Sequence, residues 1–388
     1  MNNSGDFNDK KNFKKNARKK EQKKPMIFMI VVVFIFALTA LMILCISVFR
    51  PKVDDRPHFF DDTSSGEITS TTGTGDIPSV NPGIDDYKRK EGYYTFLVCG
   101  TDKVSRSTDV MMLISLDTKS GNLNILQIPR DTFINPDIVG YNITKVNAIY
   151  SKAYNAVSGA ENEKDREKKA MEVLREKLQN ALCVTIDRYV LMDTEAFANI
   201  IDAIGGVDFY VPMDMYWNDP EQGLLIDLKE GQQILDGKKA EQFIRFRDGY
   251  ATGDIGRVEA RSDFLKAAYT QVRANLTLPV IAEIAKQVIN YVTTDMSVED
   301  TIFFASAVYG MKSDNMNIKT IAGSAVMNPL TGKWSPYYAL NKRMALEDIN
   351  SYMNAFGKDI EESLFDKKAL FSDDPNGNNP YISEYYYS

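Results

Sequence analysis

YTFLVCGTDKVSRSTDVMMLISLDTKSGNLNILQIPRD, residues 94–131, contains three apolar runs separated by short polar segments. The runs at residues 94–99, 110–116 and 123–128 are bounded by turn-forming residues, which predicts three buried strands. The Thr-Lys-Ser-Gly sequence at residues 118–121 is typical of a turn, so the second and third strands are predicted to form a hairpin. This stretch therefore begins a β-sheet.

The rest of the chain alternates helical and strand patterns. Helices are predicted at residues 143–155, 164–181, 194–203, 235–241, 257–275 and 298–311. Further strands are predicted at residues 188–192, after a Gly-Gly-Val-Asp turn at 205–208, and at 316–321. We therefore predict an α/β (mixed α+β) fold with a central mixed β-sheet flanked by helices on both faces, behind one N-terminal transmembrane helix.

A second informative stretch is QFIRFRDGYATGDIGRVEAR, residues 242–261, which combines arginines and acids around a glycine-containing turn. The alternation in residues 244–247 predicts a strand with Arg245 and Arg247 on one face. Arg257 and Arg261 are four residues apart in a predicted helix and share a face of it. Four converging guanidinium groups suit a phosphate or pyrophosphate. The alternative is a surface network of salt bridges.

The N-terminal part of the chain has the pattern of a membrane anchor. Residues 1–24 hold nine Lys or Arg against three acidic residues, a net charge of +6, whereas the whole chain carries −7. Residues 26–49 are almost entirely apolar and, as a helix, would span roughly 36 Å at ~1.5 Å per residue. The positive-inside rule predicts a cytoplasmic N-terminus and an extracellular folded domain, on a single-pass protein of the cell membrane.

The apolar segment has two other interpretations. A cleaved signal peptide is disfavoured because the apolar run is long and no small-residue cleavage site follows it. A lipoprotein at Cys45 is disfavoured because Leu44 precedes it. Beside a spanning helix the basic tail is interpreted as a topology signal that contacts lipid headgroups, and no nucleic acid is expected as a partner.

These patterns divide the chain into five segments. We predict a cytoplasmic basic tail at 1–24, a transmembrane helix at 25–49 and an extracellular linker at 50–90. The catalytic domain is predicted at 91–355 and a C-terminal extension at 356–388. The linker is rich in Pro, Gly, Ser, Thr and Asp.

The histidine and cysteine content restricts the chemistry of the folded domain. The single histidine, His58, lies in the linker, which excludes Ser-His-Asp and Cys-His hydrolases and His-ligated zinc or iron sites. A metal ion would need oxygen ligands, which points to Mg²⁺, Mn²⁺ or Ca²⁺. Cys99 and Cys183 have no paired spacing and are interpreted as buried thiols, with one disulfide between them as the alternative.

Acidic residues at the ends of the predicted strands are candidates for such a site. Asp102, Asp109 and Asp131 all follow or precede strands, where open α/β sheets gather their ligands. Asp102 and Asp109 flank one loop and can co-ligate a hard cation. The alternative is that both aspartates only cap turns.

From residue 96 to about residue 262 the chain resembles the LytR-CpsA-Psr family of cell-wall glycopolymer ligases. The matching motifs are Gly-Thr-Asp at 100–102, Ser-Thr-Asp-Val-Met-Met at 107–112, Ile-Pro-Arg-Asp at 128–131, Lys-Val-Asn-Ala at 145–148 and Gly-Gly-Val-Asp at 205–208. The arginine series of the family is matched by Arg245, Arg247, Asp254 and Arg257. Six motifs in the family's order behind the expected single anchor form a specific match over nearly half the chain.

Two positions depart from the family pattern. Ser107 stands where the family has an arginine two residues before the second metal aspartate, and Arg106 is displaced by one position. In the Arg-x-x-Arg-Gln element, Ala260 replaces the second arginine and Arg261 occupies the glutamine position. Arg106 and Arg261 are kept as candidate substrate contacts.

The resemblance implies transfer of a phosphoglycosyl polymer from a polyprenyl pyrophosphate lipid to the C6 hydroxyl of N-acetylmuramic acid in peptidoglycan. It assigns Asp102 and Asp109 to Mg²⁺, with Mn²⁺ as a second candidate. Asp254 would orient the arginines, and the general base would be Asp109 or Asp131. Contacts with the lipid pyrophosphate are assigned to Arg130, Lys145, Asn147, Arg245, Arg247, Arg257, Arg261 and Arg106.

Two alternatives use the same residues differently. A non-catalytic polyprenyl-pyrophosphate receptor that regulates the envelope would keep the arginines and need no metal pair. A polyprenyl pyrophosphate hydrolase would use the same site with water as the acceptor. The sequence does not identify the glycopolymer, which can be teichoic acid or a capsular polysaccharide.

Overall fold

The computed structural model describes residues 49–55, 57, 87–101, 106–134, 140–220, 224–246, 248–250, 254–275, 280, 284, 286–287, 290–309, 311, 315–326 and 337–365. The chain divides into two compact units, Met1–Pro51 and Lys52–Ser388. Apart from Phe49, the predicted transmembrane helix at 25–49 lies outside the described residues. None of the helices within those ranges is both long and apolar enough to cross a membrane.

Twelve strands occur in the described part of the chain. In chain order they are β1 (Tyr93–Thr101), β2 (Thr108–Asp117), β3 (Asn122–Gln127), β4 (Arg188–Asp193), β5 (Val207–Val211), β6 (Met215–Asp219), β7 (Leu224–Leu228), β8 (Gly231–Leu235), β9 (Thr293–Thr294), β10 (Met316–Thr320), β11 (Gly323–Val326) and β12 (Tyr337–Leu340).

The helices are also numbered in chain order. They are α1 (Ala148–Ala156), α2 (Glu163–Leu182), α3 (Thr194–Ala203), α4 (Gly237–Arg245), α5 (Asp254–Asn275), α6 (Val298–Tyr309), α7 (Lys342–Tyr352) and α8 (Glu362–Phe365). Side chains cap the first turns of four of them, because an Asn or Asp oxygen accepts a hydrogen bond from an otherwise unpaired backbone N–H. The caps are Asn162 for α2, Asp193 for α3, Asp236 for α4 and Asn341 for α7.

The central sheet has six strands in the order β10-β3-β2-β1-β4-β9. The predicted hairpin is confirmed, since β2 pairs antiparallel with β3 and also with β1. Strand β4 runs parallel to β1, and β10 runs parallel to β3. The sheet is therefore mixed, as predicted.

Helices cover both faces of this sheet. On one face Leu97 and Met111 pack with residues of α1, α2 and α7 in the largest core cluster, which also contains the buried free thiols of Cys99 and Cys183. On the other face Tyr94 and Phe96 pack against Phe304 of α6, with the rings of Phe96 and Phe304 4.7 Å apart. Phe356 and Phe365, at the start of the predicted C-terminal extension, are buried in the first of these clusters.

A long two-stranded ribbon, residues 207–219 and 224–235, forms a separate layer. The ribbon has two antiparallel ladders, one between β5 and β8 and one between β6 and β7. The two ladders are interrupted near Asp214. Its Oδ1 accepts a hydrogen bond from Glu230 N at 2.8 Å. One face of the ribbon packs on α4 and α5, where the ring of Phe209 lies 4.9 Å from Phe243 and 5.5 Å from Phe264. The sequence predicted only the first strand of this ribbon.

Two predicted elements are wrong in ways that matter for the site. Residues 244 and 245 were predicted as strand, but α4 continues to Arg245, because Asp236 caps the helix and Ala240 and Phe243 bury a helical face. The helix predicted at 143–155 begins only at Ala148, because Lys145 forms an isolated β-bridge with Phe133.

Candidate functional site

The end of β1, the start of β2 and the end of β3 lie together in the structure. Thr101 at the end of β1 pairs with Thr108 at the start of β2, one residue before Asp109. Beyond β3, Ile128 N donates a hydrogen bond to Met111 O at 2.9 Å. The Arg130–Asp131 pair therefore lies beside Asp109 at one edge of the sheet.

Four side chains form a continuous charge cluster there, namely Asp109, Arg130, Asp131 and Lys145. Arg130 Nη1 donates to Asp109 Oδ1 at 2.7 Å, and Arg130 Nε lies 3.6 Å from Asp131 Oδ2. Lys145 Nζ donates to Asp131 Oδ1 at 2.8 Å. The exposed fractions of these side chains run from 23% to 39%, so the cluster is open enough to receive a ligand and sheltered enough to strengthen charge interactions.

Main-chain hydrogen bonds hold the charge cluster in place. Asn147 N donates to Arg130 O at 3.3 Å, and Tyr338 N donates to Asp131 O at 3.0 Å. The Thr132 hydroxyl donates to Pro129 O at 2.6 Å. Asn147 thus contributes main-chain contacts, and its carbonyl oxygen also accepts a hydrogen bond from Thr108 N at 3.3 Å.

Tyr337 is a member of the site that the sequence did not predict. Its ring lies under Lys145 Nζ, 4.7 Å from the ring centroid, and its hydroxyl is 2.6 Å from Thr144 Oγ1. The cation–π contact fixes the lysine ammonium group beside Asp131. No local pattern could have indicated this contact, because nearly two hundred residues separate the partners along the chain.

The arginine-rich stretch lies next to the end of β3. Gln127 Nε2 donates to Ser262 Oγ at 3.2 Å, which places the first half of α5 beside the strand that leads to Arg130. Arg261 Nη2 donates to Ile244 O and so joins α5 to the end of α4. Arg245 Nη1 donates to Glu241 Oε1 at 3.0 Å. The i,i+4 spacing of Glu241 and Arg245 could have indicated this last pair, but it was missed because Arg245 was predicted in a strand.

Tyr250 is influenced electrostatically by two of the predicted arginines. Burial raises the pKa of its phenol, while the charges of Arg261 and Arg257 act in the opposite direction and lower it. Arg247, Asp102 and the side chain of Asp254 lie outside the described residues, and α5 begins at Asp254.

Arg106 faces a different set of partners. Its backbone is left-handed, with φ of 53°. Its guanidinium group lies 2.6 Å from Glu163 Oε1 and 3.7 Å from Glu167 Oε1, and it stacks on the Tyr154 ring at 4.1 Å. The hydrogen bond from Tyr154, together with Arg106, lowers the pKa of Glu163. In this conformation Arg106 ties the β1–β2 loop to the start of α2.

A double-mutant cycle measures the interaction between Arg106 and Glu163. Arg106→Ala, Glu163→Gln and the double variant should show a coupling of about 0.5–1 kcal/mol in the free energy of unfolding, since the pair is partly exposed. Denaturant unfolding gives all three values. Glu176→Gln, which removes another exposed acid of α2, is the control in the same background. Additive effects of the two substitutions would show that Arg106 and Glu163 do not interact in solution.

The geometry suits an anion with several negative oxygens. The β3–α1 connection supplies the cationic groups of the charge cluster, and the arginine-bearing α5 contacts the end of β3 through Ser262 and the end of α4 through Arg261. Within that cluster Asp109 and Asp131 supply carboxylate oxygens, which are ligands suited to Mg²⁺. Within the described ranges no group of three or more His, Cys, Asp or Glu residues is arranged as a metal site, and the predicted second ligand, Asp102, is outside those ranges.

Comparison with known proteins gives consistent matches. TagV of Bacillus subtilis, a polyisoprenyl-teichoic acid–peptidoglycan teichoic acid transferase, is 26% identical over 269 residues, or 67% of this chain and 64% of TagV. The crystal structure of B. subtilis TagV matches with a TM-score of 0.52 and 24% identity over 66% of this chain and 94% of that one. The structure of TagT bound to LIIa-WTA matches with a TM-score of 0.52 and 18% identity over 69% of this chain and 92% of that one.

The two structural matches show that the fold is shared. The chain spans somewhat less than two thirds of the length of TagV. The LytR_cpsA_psr family model matches residues 62–352, well over half of the chain, and includes the charge cluster and the arginine-rich stretch. The chain is therefore a member of the LytR_cpsA_psr family.

Proposed function

We propose that this protein is a phosphotransferase that moves an anionic glycopolymer, of the teichoic acid or capsular polysaccharide type, from a polyprenyl pyrophosphate lipid to peptidoglycan. The bond formed would be a phosphodiester to the C6 hydroxyl of N-acetylmuramic acid, and the bond broken would be the P–O–P bond of the carrier, which leaves as polyprenyl phosphate. The charge cluster of Asp109, Arg130, Asp131 and Lys145 beside the arginine-bearing helices carries this proposal. The names of TagV and of the TagT complex support the class of polymer and acceptor.

Arg130 is the central group of the proposed mechanism. Its guanidinium fork now contacts two carboxylates and can donate hydrogen bonds to phosphate oxygens in the same planar geometry. Transfer of a phosphoryl group builds negative charge on the leaving phosphate, and preorganised cations stabilise that charge. Lys145 is held beside the same position, and Arg245, Arg247, Arg257 and Arg261 are proposed to bind the rest of the diphosphate.

The attacking hydroxyl must lose its proton as the new phosphorus–oxygen bond forms. Asp109 and Asp131 are the carboxylates within the charge cluster, and one of them is proposed to accept this proton. Each is already an acceptor of a charge-assisted hydrogen bond, from Arg130 and Lys145 respectively.

A divalent cation is proposed as the cofactor. Asp109 and Asp102 would hold Mg²⁺, with Mn²⁺ as an alternative, because both ions prefer carboxylate oxygens. The ion would neutralise charge on the diphosphate. We also propose that residues 25–49 anchor the protein as a single-pass helix with the domain outside the cell, which would keep the site near the lipid carrier.

A transfer assay tests the proposal. The full chain in lipid nanodiscs receives radiolabelled lipid-pyrophosphate glycopolymer, uncrosslinked peptidoglycan and Mg²⁺. We expect label on the peptidoglycan, a loss of at least about tenfold in rate with EDTA, and recovery with added Mg²⁺. Label released equally fast without peptidoglycan would indicate a hydrolase instead. Lipid that binds without turnover would indicate a non-catalytic receptor.

A further inference from the structure

The outer face of the ribbon carries a repeated pattern that the packing of the domain does not explain. Tyr210, Tyr216, Leu225 and Ile234 have exposed fractions between 53% and 64%. Each lies opposite a polar partner across the ladder. The pairs are Ile234 with Asp208, Tyr210 with Gln232, Tyr216 with Asp227, and Leu225 with Asn218. The opposite face of the ribbon already packs on α4 and α5, so these exposed side chains add nothing to the core.

This pattern has the chemistry of a carbohydrate-binding surface. A sugar ring presents C–H groups on its faces and hydroxyl groups around its edge. Exposed aromatic and aliphatic side chains cover the C–H faces, while carboxylate and amide oxygens accept hydrogen bonds from the hydroxyls. The thirteen residues from 207 to 219 extend about 40 Å at ~3.3 Å per residue, long enough for several consecutive sugars.

The charge of the ribbon disfavours other ligands. Its described residues include the acids Asp208, Asp214, Asp219, Asp227 and Glu230 and the single basic residue Lys229. Nucleic acid, anionic lipid and an anionic glycopolymer would all be repelled by this surface. This surface would not repel an uncharged sugar polymer.

The ribbon is also connected directly to the arginine-bearing helix. Leu235 at the end of β8 is followed within two residues by α4. Asp227 N donates to Gln242 Oε1 at 3.0 Å, three residues before Arg245. A polymer on the ribbon would therefore lie along an element that leads to the candidate site.

We propose that the outer face of the ribbon binds the glycan strand of peptidoglycan, whose β-linked N-acetylated sugars are uncharged where each muramic acid carboxyl is amide-linked to a stem peptide, and so presents the acceptor to the charge cluster. The assignment of this glycan as acceptor rests on the proposed function. The binding itself does not need the lipid donor and is measured without it.

Isothermal titration calorimetry provides the test. The full chain in nanodiscs is titrated with oligosaccharides of β-linked N-acetylglucosamine, which are an uncharged probe of the glycan backbone. We expect saturable binding that Tyr210→Ser and Tyr216→Ser each weaken by about tenfold. Tyr291→Ser removes a tyrosine that is 47% exposed outside the ribbon and should leave binding unchanged.

Transfer kinetics separate this proposal from the proposed function. The two ribbon variants should raise the KM for peptidoglycan and leave kcat and the melting temperature unchanged. Saturable glycan binding without any transfer would refute the ligase assignment and leave the ribbon assignment intact. Glycan binding that is absent, or equal in all variants, would overturn the ribbon assignment. Loss of self-association or of vesicle binding in the ribbon variants, with glycan binding unchanged, would also overturn it.

Discussion

Replacing Arg130 with alanine is expected to lower the rate of glycopolymer transfer by about 10²–10³-fold, which is the usual cost of removing one preorganised donor from a developing negative charge. Arg130 is the only described residue that contacts both Asp109 and Asp131 in the charge cluster. The loss should fall mainly on kcat, because the charge that Arg130 is proposed to stabilise would grow during the reaction. Initial rates at saturating lipid and peptidoglycan give this value.

Two variants control for the interpretation. Arg130→Lys keeps the positive charge and loses the planar fork, so its rate should lie between those of the wild type and Arg130→Ala. Arg343→Ala removes an arginine that is exposed and paired with Glu347 on α7, and its rate should equal that of the wild type. Wild-type activity in Arg130→Ala would remove the charge cluster from the mechanism.

Replacing Asp187 with alanine is expected to destabilise the domain by about 3–5 kcal/mol, because it leaves a buried arginine without its partner. The side chains of Asp187 and Arg89 are only 1% and 5% exposed. Asp187 Oδ2 accepts hydrogen bonds from Arg89 at 2.5 Å, from Thr95 N at 2.8 Å and from Thr95 Oγ1 at 3.0 Å. These contacts join the segment before β1 to the start of β4.

Denaturant unfolding of the Asp187→Ala variant measures this cost. The double variant Arg89→Met/Asp187→Leu should recover part of it, since replacing both members of a buried pair removes the uncompensated charge. Glu347→Ala breaks an exposed pair and should change the free energy of unfolding by less than about 1 kcal/mol. A cost for Asp187→Ala as small as that of Glu347→Ala would show that the pair is solvated in solution.

Much of the fold followed from local patterns. The three strands of residues 94–128 were predicted because each is a short apolar run between turn signals, and their hairpin was predicted from the Thr-Lys-Ser-Gly turn. Helix α3 was predicted with its true bounds, Thr194–Ala203, and the structure shows that the side chain of Asp193 caps it. The later strands of the ribbon were missed because polar and apolar residues both occur on its exposed face, which blurs the alternation.

The site was predictable where it depends on strand ends and less so where it depends on distant contacts. Asp109 and Asp131 were expected together because both lie at strand ends, and Arg130 was assigned to the same site by the family resemblance. The predicted strand around Arg245 was wrong because the alternation of residues 244–247 was outweighed by the cap and by the burial of Phe243 in α4. The position of Tyr337 over Lys145 and that of Arg106 on Tyr154 depend on tertiary packing, which spacing along the chain does not encode.

Phosphorus NMR of the reaction product tests the central claim most directly. Peptidoglycan recovered from the transfer reaction is digested with a muramidase, and the soluble fragments are examined. The account predicts a phosphodiester resonance coupled to the C6 protons of N-acetylmuramic acid, present with wild-type protein and absent with Arg130→Ala. A phosphate monoester on released polymer, with unmodified muramic acid, would contradict it and identify water as the acceptor.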